Sequence, residues 1–149
     1  MRIALGSDHG GFALKQEITE QLRSENYDFT DFGTFSEESV DYPDIARKVA
    51  EAIAAGEFDR GILICGTGLG VSITANKVHG IRAALCTDEY TAKMSREHNN
   101  ANVLALGGRV VGSELAKEIV RVFLTTGFDP ESRHARRVEK IEQRVMSDE

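Results

Sequence analysis

Ile62-Leu63-Ile64-Cys65-Gly66-Thr67-Gly68-Leu69-Gly70 joins four consecutive apolar residues to a glycine-rich turn. A short, unbroken apolar run of this kind reads as a strand buried on both faces, the mark of a parallel sheet covered by helices. Residues 3–5, 83–86 and 103–106 are further runs of the same character. Tyr27 and Phe29 instead alternate with Asp28 and Thr30, which predicts a half-exposed strand at a sheet edge.

Helical periodicity fills the intervals. Leu14, Ile18 and Leu22 fall at i, i+4, i+8, while Ile45, Val49, Ala52 and Ile53 fall at i, i+4, i+7, i+8. Leu115, Ile119, Val122 and Phe123 repeat the second spacing, so each set forms one apolar stripe. Asp41 ahead of Pro43, and Asp129 ahead of Pro130, read as helix starts. Strand therefore alternates with helix to the end of the chain. This predicts a single α/β domain over residues 1–149, a three-layer α/β/α build with a parallel sheet between helices. In such sheets the ligand lies beyond the carboxyl ends of the strands.

The composition suits a globular chain of 149 residues, 41% hydrophobic and 28% charged. A net charge of −6 argues against nucleic acid and anionic membranes as partners. No apolar run approaches the roughly 20 residues that span a bilayer, and the N-terminus reaches Asp8 without a secretory leader. Cys65 and Cys86 share no metal-ligand spacing and fit reduced thiols in a cytoplasmic protein.

The segments that follow strands carry the chemistry. Gly6-Ser7-Asp8-His9-Gly10-Gly11 follows the first, the 66–70 loop the third, Thr87-Asp88 the fourth, with its helix ending at His98-Asn99-Asn100, and Gly107-Gly108-Arg109 the fifth. The 66–70 loop is not a dinucleotide fingerprint, because Val71 stands where glycine is required, and Asn76-Lys77-Val78 is not the end of a P-loop. It does bring several backbone N–H groups and a helix start to one anionic centre. Placed after Cys65, that loop favours a thiolate and can receive negative charge on a neighbouring oxygen. Those are the needs of proton abstraction next to a carbonyl. A buried core thiol is the competing account of Cys65.

His98 ends a helix that starts near Asp88, where the dipole favours an imidazolium suited to a general acid; a helix-capping histidine is the alternative. In the last helix Val138, Ile141 and Val145 mark an apolar face, and Arg133, Arg137, Lys140 and Arg144 form a basic stripe. Arg133 and Arg137, one turn apart, can grip one dianion; a solvated basic face is the bland account. His79 receives no role and His134, beside the arginines, is ambiguous.

Together, Gly6-Ser7-Asp8-His9-Gly10-Gly11, Asp41-Tyr42-Pro43, Cys65-Gly66-Thr67-Gly68-Leu69-Gly70, Ser95-Arg96-Glu97-His98-Asn99, Gly108-Arg109-Val110-Val111-Gly112 and the Arg133-His134 to Arg137-Val138 stretch resemble the ribose-5-phosphate isomerase B family, which includes allose-6-phosphate and galactose-6-phosphate isomerases. The resemblance covers almost the whole chain. It implies a five-stranded parallel sheet of Rossmann-like build with the first and third strands adjacent, and a C-terminal helix. It implies a cytoplasmic homodimer or dimer of dimers with each site lined by two subunits, a sugar phosphate as substrate, and no metal, nucleotide or other cofactor. By the same resemblance Cys65 takes the proton from C2 and returns it at C1, and the backbone from Gly66 through Leu69 to Gly70 holds the enediolate oxygen. Thr67 and His98 assist ring opening, Asp8 binds sugar hydroxyls and shuttles a proton, and Asn99 contacts the sugar. His9, Arg109, Arg133 and Arg137 are the phosphate candidates.

Two other classes compete. A non-catalytic nucleotide-binding module would use the 66–70 loop without needing Cys65, and the missing glycine opposes it. Nucleic-acid binding through the C-terminal stripe is opposed by the overall charge and the lack of interleaved aromatic residues. Whether the sugar has five or six carbons is open at this level.

Overall fold

The computed structural model describes residues 1–143. Arg144 and Val145 of the proposed terminal stripes lie outside the described residues. The elements, in chain order, are β1 (Arg2–Ser7), a 3-10 turn (His9–Gly11), α1 (Phe12–Ser24), β2 (Asp28–Asp31), α2 (Tyr42–Ala54) and β3 (Arg60–Cys65). They continue with α3 (Leu69–Asn76), β4 (Ala83–Leu85), α4 (Glu89–Glu97), β5 (Val103–Gly107), α5 (Ser113–Thr125) and α6 (Arg133–Ile141).

The five strands form one sheet in the order β2-β1-β3-β5-β4, and every pairing is parallel. The first and third strands are neighbours, as expected. β1, β3 and β5 occupy the middle, which explains their unbroken apolar runs: alternate residues face opposite helical layers. Ile3, Leu5, Ile62, Ile64, Leu104 and Leu106 pack with the residues of α1 and α5. Ala4, Leu63, Cys65, Val103 and Ala105 pack with those of α2 and α3. Alternation at β2 signalled an edge correctly, with Phe29 half-buried beside exposed Asp28 and Thr30.

Three expectations need correction. The 83–86 run does not form a doubly buried strand; β4 is a short, half-buried edge strand. Its outer backbone is engaged by Asn76, whose side-chain amide donates to the Ala83 carbonyl at 3.0 Å and accepts from the Ala83 N–H at 2.8 Å. That amide takes the place of a neighbouring strand and blunts the edge. In α5 the buried residues are Ala116, Ile119, Val120, Phe123 and Leu124, while Leu115 is 38% exposed. The helix packs against α1 and α4, so its buried stripe is centred on the flank that carries Ala116 and Val120. The last helix starts at Arg133, not at Asp129-Pro130. Asp129 instead closes a turn ahead of it, its Oδ1 accepting from the Glu131 N–H at 2.9 Å and its carbonyl from the Ser132 N–H at 3.2 Å. The start of α2 at Tyr42, directly after Asp41 and with Pro43 in its first turn, is as expected.

Candidate active site

Three strand ends interlock at the carboxyl edge of the sheet. The Asp8 N–H donates to the Ile64 carbonyl at 3.2 Å, and Asp8 Oδ1 accepts from the Gly11 N–H at 3.2 Å. This wraps the 3-10 turn across the end of β3. The approach leaves no room for side chains: a Cβ on Gly11 would lie 2.5 Å from the Ile64 carbonyl oxygen. From the other side, the Gly108 N–H donates to the Cys65 carbonyl at 2.8 Å and the Arg109 N–H to the Gly66 carbonyl at 2.9 Å.

Cys65 sits between these segments and is 4% exposed. Its Sγ accepts a hydrogen bond from the Gly68 N–H at 3.1 Å. That contact requires the chain to fold back sharply, and Gly68 does so at φ +80°, a conformation that disfavours residues with a side chain. The Leu69 N–H donates to Thr67 Oγ1 at 3.2 Å, and Thr67 itself is exposed at the loop's crest. Two of the loop amides are therefore committed within the loop, one of them to the sulfur. The Arg109 side chain folds back over the loop, its Nη1 3.2 Å from where a Cβ on Gly66 would stand. Asp8 is 7% exposed. His9 is half-buried, with Nδ1 accepting from the Val40 N–H at 3.3 Å. Tyr42 borders the loop as well, since a Cβ on Gly70 would lie 2.5 Å from its ring. The sequence marked Tyr42 only as part of the Asp41-Tyr42-Pro43 motif; an aromatic residue at a helix start gives no sign of which loop it will meet.

The remaining predicted residues lie at the other end of the sheet. His98 caps the C-terminus of α4, its N–H donating to the Met94 carbonyl at 2.8 Å. The helix after β4 returns to the amino edge before β5 begins, so His98 and Asn99 precede Val103 instead of following a strand. β5 pairs Val103 with Gly61 and Gly107 with Cys65, which separates the two ends by roughly 13 Å at the rise of a strand. The expectation that the 98–100 segment shares the ligand-binding edge with Cys65 fails within one chain for this reason.

The amino-edge group has its own order. His98 and His134 stack with ring centroids 4.0 Å apart at 16°. Glu97, Gly127, Phe128, Asp129 and Ser132 join them around a cavity of about 500 Å³. Partial desolvation, then His98, Arg137 and Arg133, push the His134 imidazole below its ordinary pKa. Lost hydration and the nearby guanidinium groups both disfavour the charged form of the His134 ring. Arg133 and Arg137 are exposed on α6. Asn99 opens instead on a separate cavity of about 580 Å³ beside the Arg82–Glu142 ion pair.

Buried Arg96 ties this edge together. It donates to Asn100 Oδ1 at 2.9 Å, to the Ala101 carbonyl at 2.6 Å and to the Thr126 carbonyl at 3.0 Å. Burial, with Arg60 and Arg82 nearby, brings its pKa down to about 10. Arg96 thus joins the turn that bears His98 to the segment leading to α6. The sequence marked Arg96 only within the Ser95-Arg96-Glu97-His98-Asn99 motif, and its burial on a charged helix has no local signal. Cys86 is a buried thiol whose pKa is pushed up chiefly by that burial, in keeping with a core role. Among the described residues no group of three or more His, Cys, Asp or Glu could hold a metal ion, and no helix is long and apolar enough to cross a membrane.

A profile of the Ribose/Galactose Isomerase family matches residues 3–141. Ribose-5-phosphate isomerase B of Escherichia coli is 54% identical over 140 residues, covering 94% of this chain and 93% of that protein. A galactose-6-phosphate isomerase subunit of Clostridium acetobutylicum is 40% identical over 148 residues, covering 99% of this chain and 86% of that one. The solved structure of Clostridium thermocellum ribose-5-phosphate isomerase B superimposes with a TM-score of 0.93 at 61% identity, covering 95% of each chain.

Proposed function

The chain belongs to the ribose/galactose isomerase family of aldose–ketose isomerases, and from that membership we propose that it interconverts ribose 5-phosphate and ribulose 5-phosphate in the cytoplasm as a step of pentose phosphate metabolism. The observation that carries the chemistry is Cys65 Sγ accepting from the Gly68 amide, in the loop that leads from the carboxyl end of β3 into α3. Family membership supplies the substrate class and the loop supplies the reaction type.

The Cys65 thiolate takes the proton from C2 of the open-chain sugar, and charge moves onto the C1 oxygen. The Gly68 N–H stabilises the sulfur anion before transfer. The amides of Gly66, Thr67 and Gly70 remain for the enediolate oxygen. The same thiol returns the proton at C1. Asp8, held by the Gly11 amide, binds the sugar hydroxyls and moves a proton between the oxygens. Thr67 and His98 open the furanose ring, with His98 as acid. Asn99 contacts the sugar, and His9, Arg109, Arg133 and Arg137 take the phosphate.

This division of labour requires a second copy. His98, Asn99, Arg133 and Arg137 stand at the amino edge and Cys65 at the carboxyl edge, so the working site combines one edge of each of two subunits. A two-fold pair builds two such sites at once, in a homodimer or a dimer of dimers. Each site then holds a phosphate clamp of mixed origin: His9 and Arg109 from the subunit that supplies Cys65, Arg133 and Arg137 from its partner.

Assays with ribose, allose and galactose phosphates test the substrate. The highest kcat/KM is expected for ribose 5-phosphate; one methylene-sized difference is worth about 10- to 200-fold in such a pocket. A preference for a six-carbon phosphate would replace this substrate while leaving the isomerase chemistry in place. Arg137→Ala is expected to raise KM by about 10- to 100-fold, the scale of a charge-assisted hydrogen bond lost. Its kcat should move far less, because phosphate binding is shared by ground and transition states. An unaltered KM would remove Arg137 from the phosphate site.

A further inference from the structure

Lys15 takes no part in the chemistry above, yet its ammonium-bearing side chain lies on the inner face of α1 and the residue is 1% exposed. A buried cation is unfavourable unless its charge is matched and its donors are used. Here Nζ donates to Asp31 Oδ1 at 2.8 Å and to the Thr34 carbonyl. Asp31 Oδ1 in turn accepts from the Gly33 N–H at 2.8 Å. The ion pair is therefore fastened to the start of the segment that links β2 to α2.

The same segment is joined to the catalytic edge in two places. At its start, the Ser7 N–H donates to the Gly33 carbonyl at 2.7 Å and the Thr34 N–H to the Ser7 carbonyl at 2.6 Å; Ser7 ends β1 and leads directly into Asp8 and His9. At its far end, the Val40 N–H donates to His9 Nδ1 at 3.3 Å. A ring nitrogen that accepts a hydrogen bond carries no proton, so the ring N–H of His9 is on Nε2. An apolar residue at position 15 would fill the space but would leave Asp31 and the Thr34 carbonyl without a common donor. The start of the segment would then be held by the Ser7 contacts and by Phe32, whose N–H donates to the Leu5 carbonyl at 2.8 Å, with no tie left to α1 through the ion pair.

We infer that the Lys15–Asp31 pair is a positioning device for the phosphate site: it anchors the β2–α2 segment, which keeps the Val40 amide on His9 Nδ1 and so presents His9 Nε2–H as a donor to the substrate phosphate. The inference rests on the proposed contact between His9 and the phosphate. Lys15 and Asp31 act through His9 and do not touch the substrate.

The test pairs Lys15→Met with Asp31→Asn, so that neither charge is left uncompensated. KM for ribose 5-phosphate is expected to rise about fivefold to tenfold, the scale of one misplaced hydrogen bond, with kcat little changed. The ¹⁵N resonances of His9 are expected to lose the pure Nε2–H signature. In a His9→Ala background the same pair of substitutions should leave KM where His9→Ala alone put it. Should the paired variant fail to fold, Asp31→Asn alone is read in the same three ways. An equal rise in KM without His9, or an unchanged His9 spectrum, would overturn the inference. Failure of the underlying phosphate assignment has a different signature: His9→Ala would leave KM untouched while the His9 spectrum still responded to the Lys15 and Asp31 substitutions, and the device would then have no phosphate contact to serve.

Discussion

Cys65→Ala is expected to lower kcat on ribose 5-phosphate by about 10²-fold or more, the usual scale for a missing acid–base group. KM should change little, because the charges assigned to the phosphate lie on other residues. The substitution removes a single buried atom, and the Gly68 N–H loses its acceptor. Together these place the stability cost near 1 kcal/mol, a shift of about 2–4 °C in the melting temperature of a chain this size. A loss of turnover by two orders of magnitude in a protein that still melts cooperatively near the wild-type temperature therefore reports chemistry, not unfolding. Cys65→Ser sharpens the reading. The hydroxyl preserves the size of the group and can still accept from Gly68, but it ionises far less readily than a thiol, so turnover should fall comparably. Wild-type turnover in Cys65→Ala would dismiss the sulfur as the base.

The parts of the fold that were legible in the sequence are those where a local pattern has one three-dimensional meaning. Ile62 to Cys65, an apolar run that ends in a glycine-rich turn, read as a strand buried on both sides, and Tyr27 to Thr30 as a strand with one wet face. Residues 83–86 carried the same apolar pattern as the central strands but lie at the edge. Their coverage comes from a side-chain amide at Asn76 and from packing, and neither leaves a trace in hydrophobic periodicity. The stripe on α5 was displaced because two neighbouring helices, as well as the sheet, compete for its surface.

The site followed the same division. Asp8, His9, Thr67 and Arg109 follow strands and Cys65 ends one, and the sheet rule places all of them on one edge without further information. His98, Asn99, Arg133 and Arg137 follow or occupy helices. Which edge they reach depends on where each helix ends, and α4 ends at the amino edge. In the proposed two-subunit site their union with Cys65 belongs to a pair of chains, and no pattern within one chain displays such a pairing. Tyr42, Arg96 and Lys15 were silent for a related reason: each meets a segment distant in sequence, Tyr42 at Gly70, Arg96 at Thr126 and Lys15 at Asp31 and Thr34.

Shared sites are most directly tested by mixing two damaged subunits. Cys65→Ala and His98→Ala each leave every site of a homodimer short of one group. When the two variants are unfolded together and refolded as a mixture, half of the pairs combine one of each, and one of the two sites in such a pair regains both groups. Turnover is then expected to return to about a quarter of the wild-type value, far above either variant alone. Activity no higher than the mean of the two separate variants would contradict a site built from Cys65 of one subunit and His98 of another.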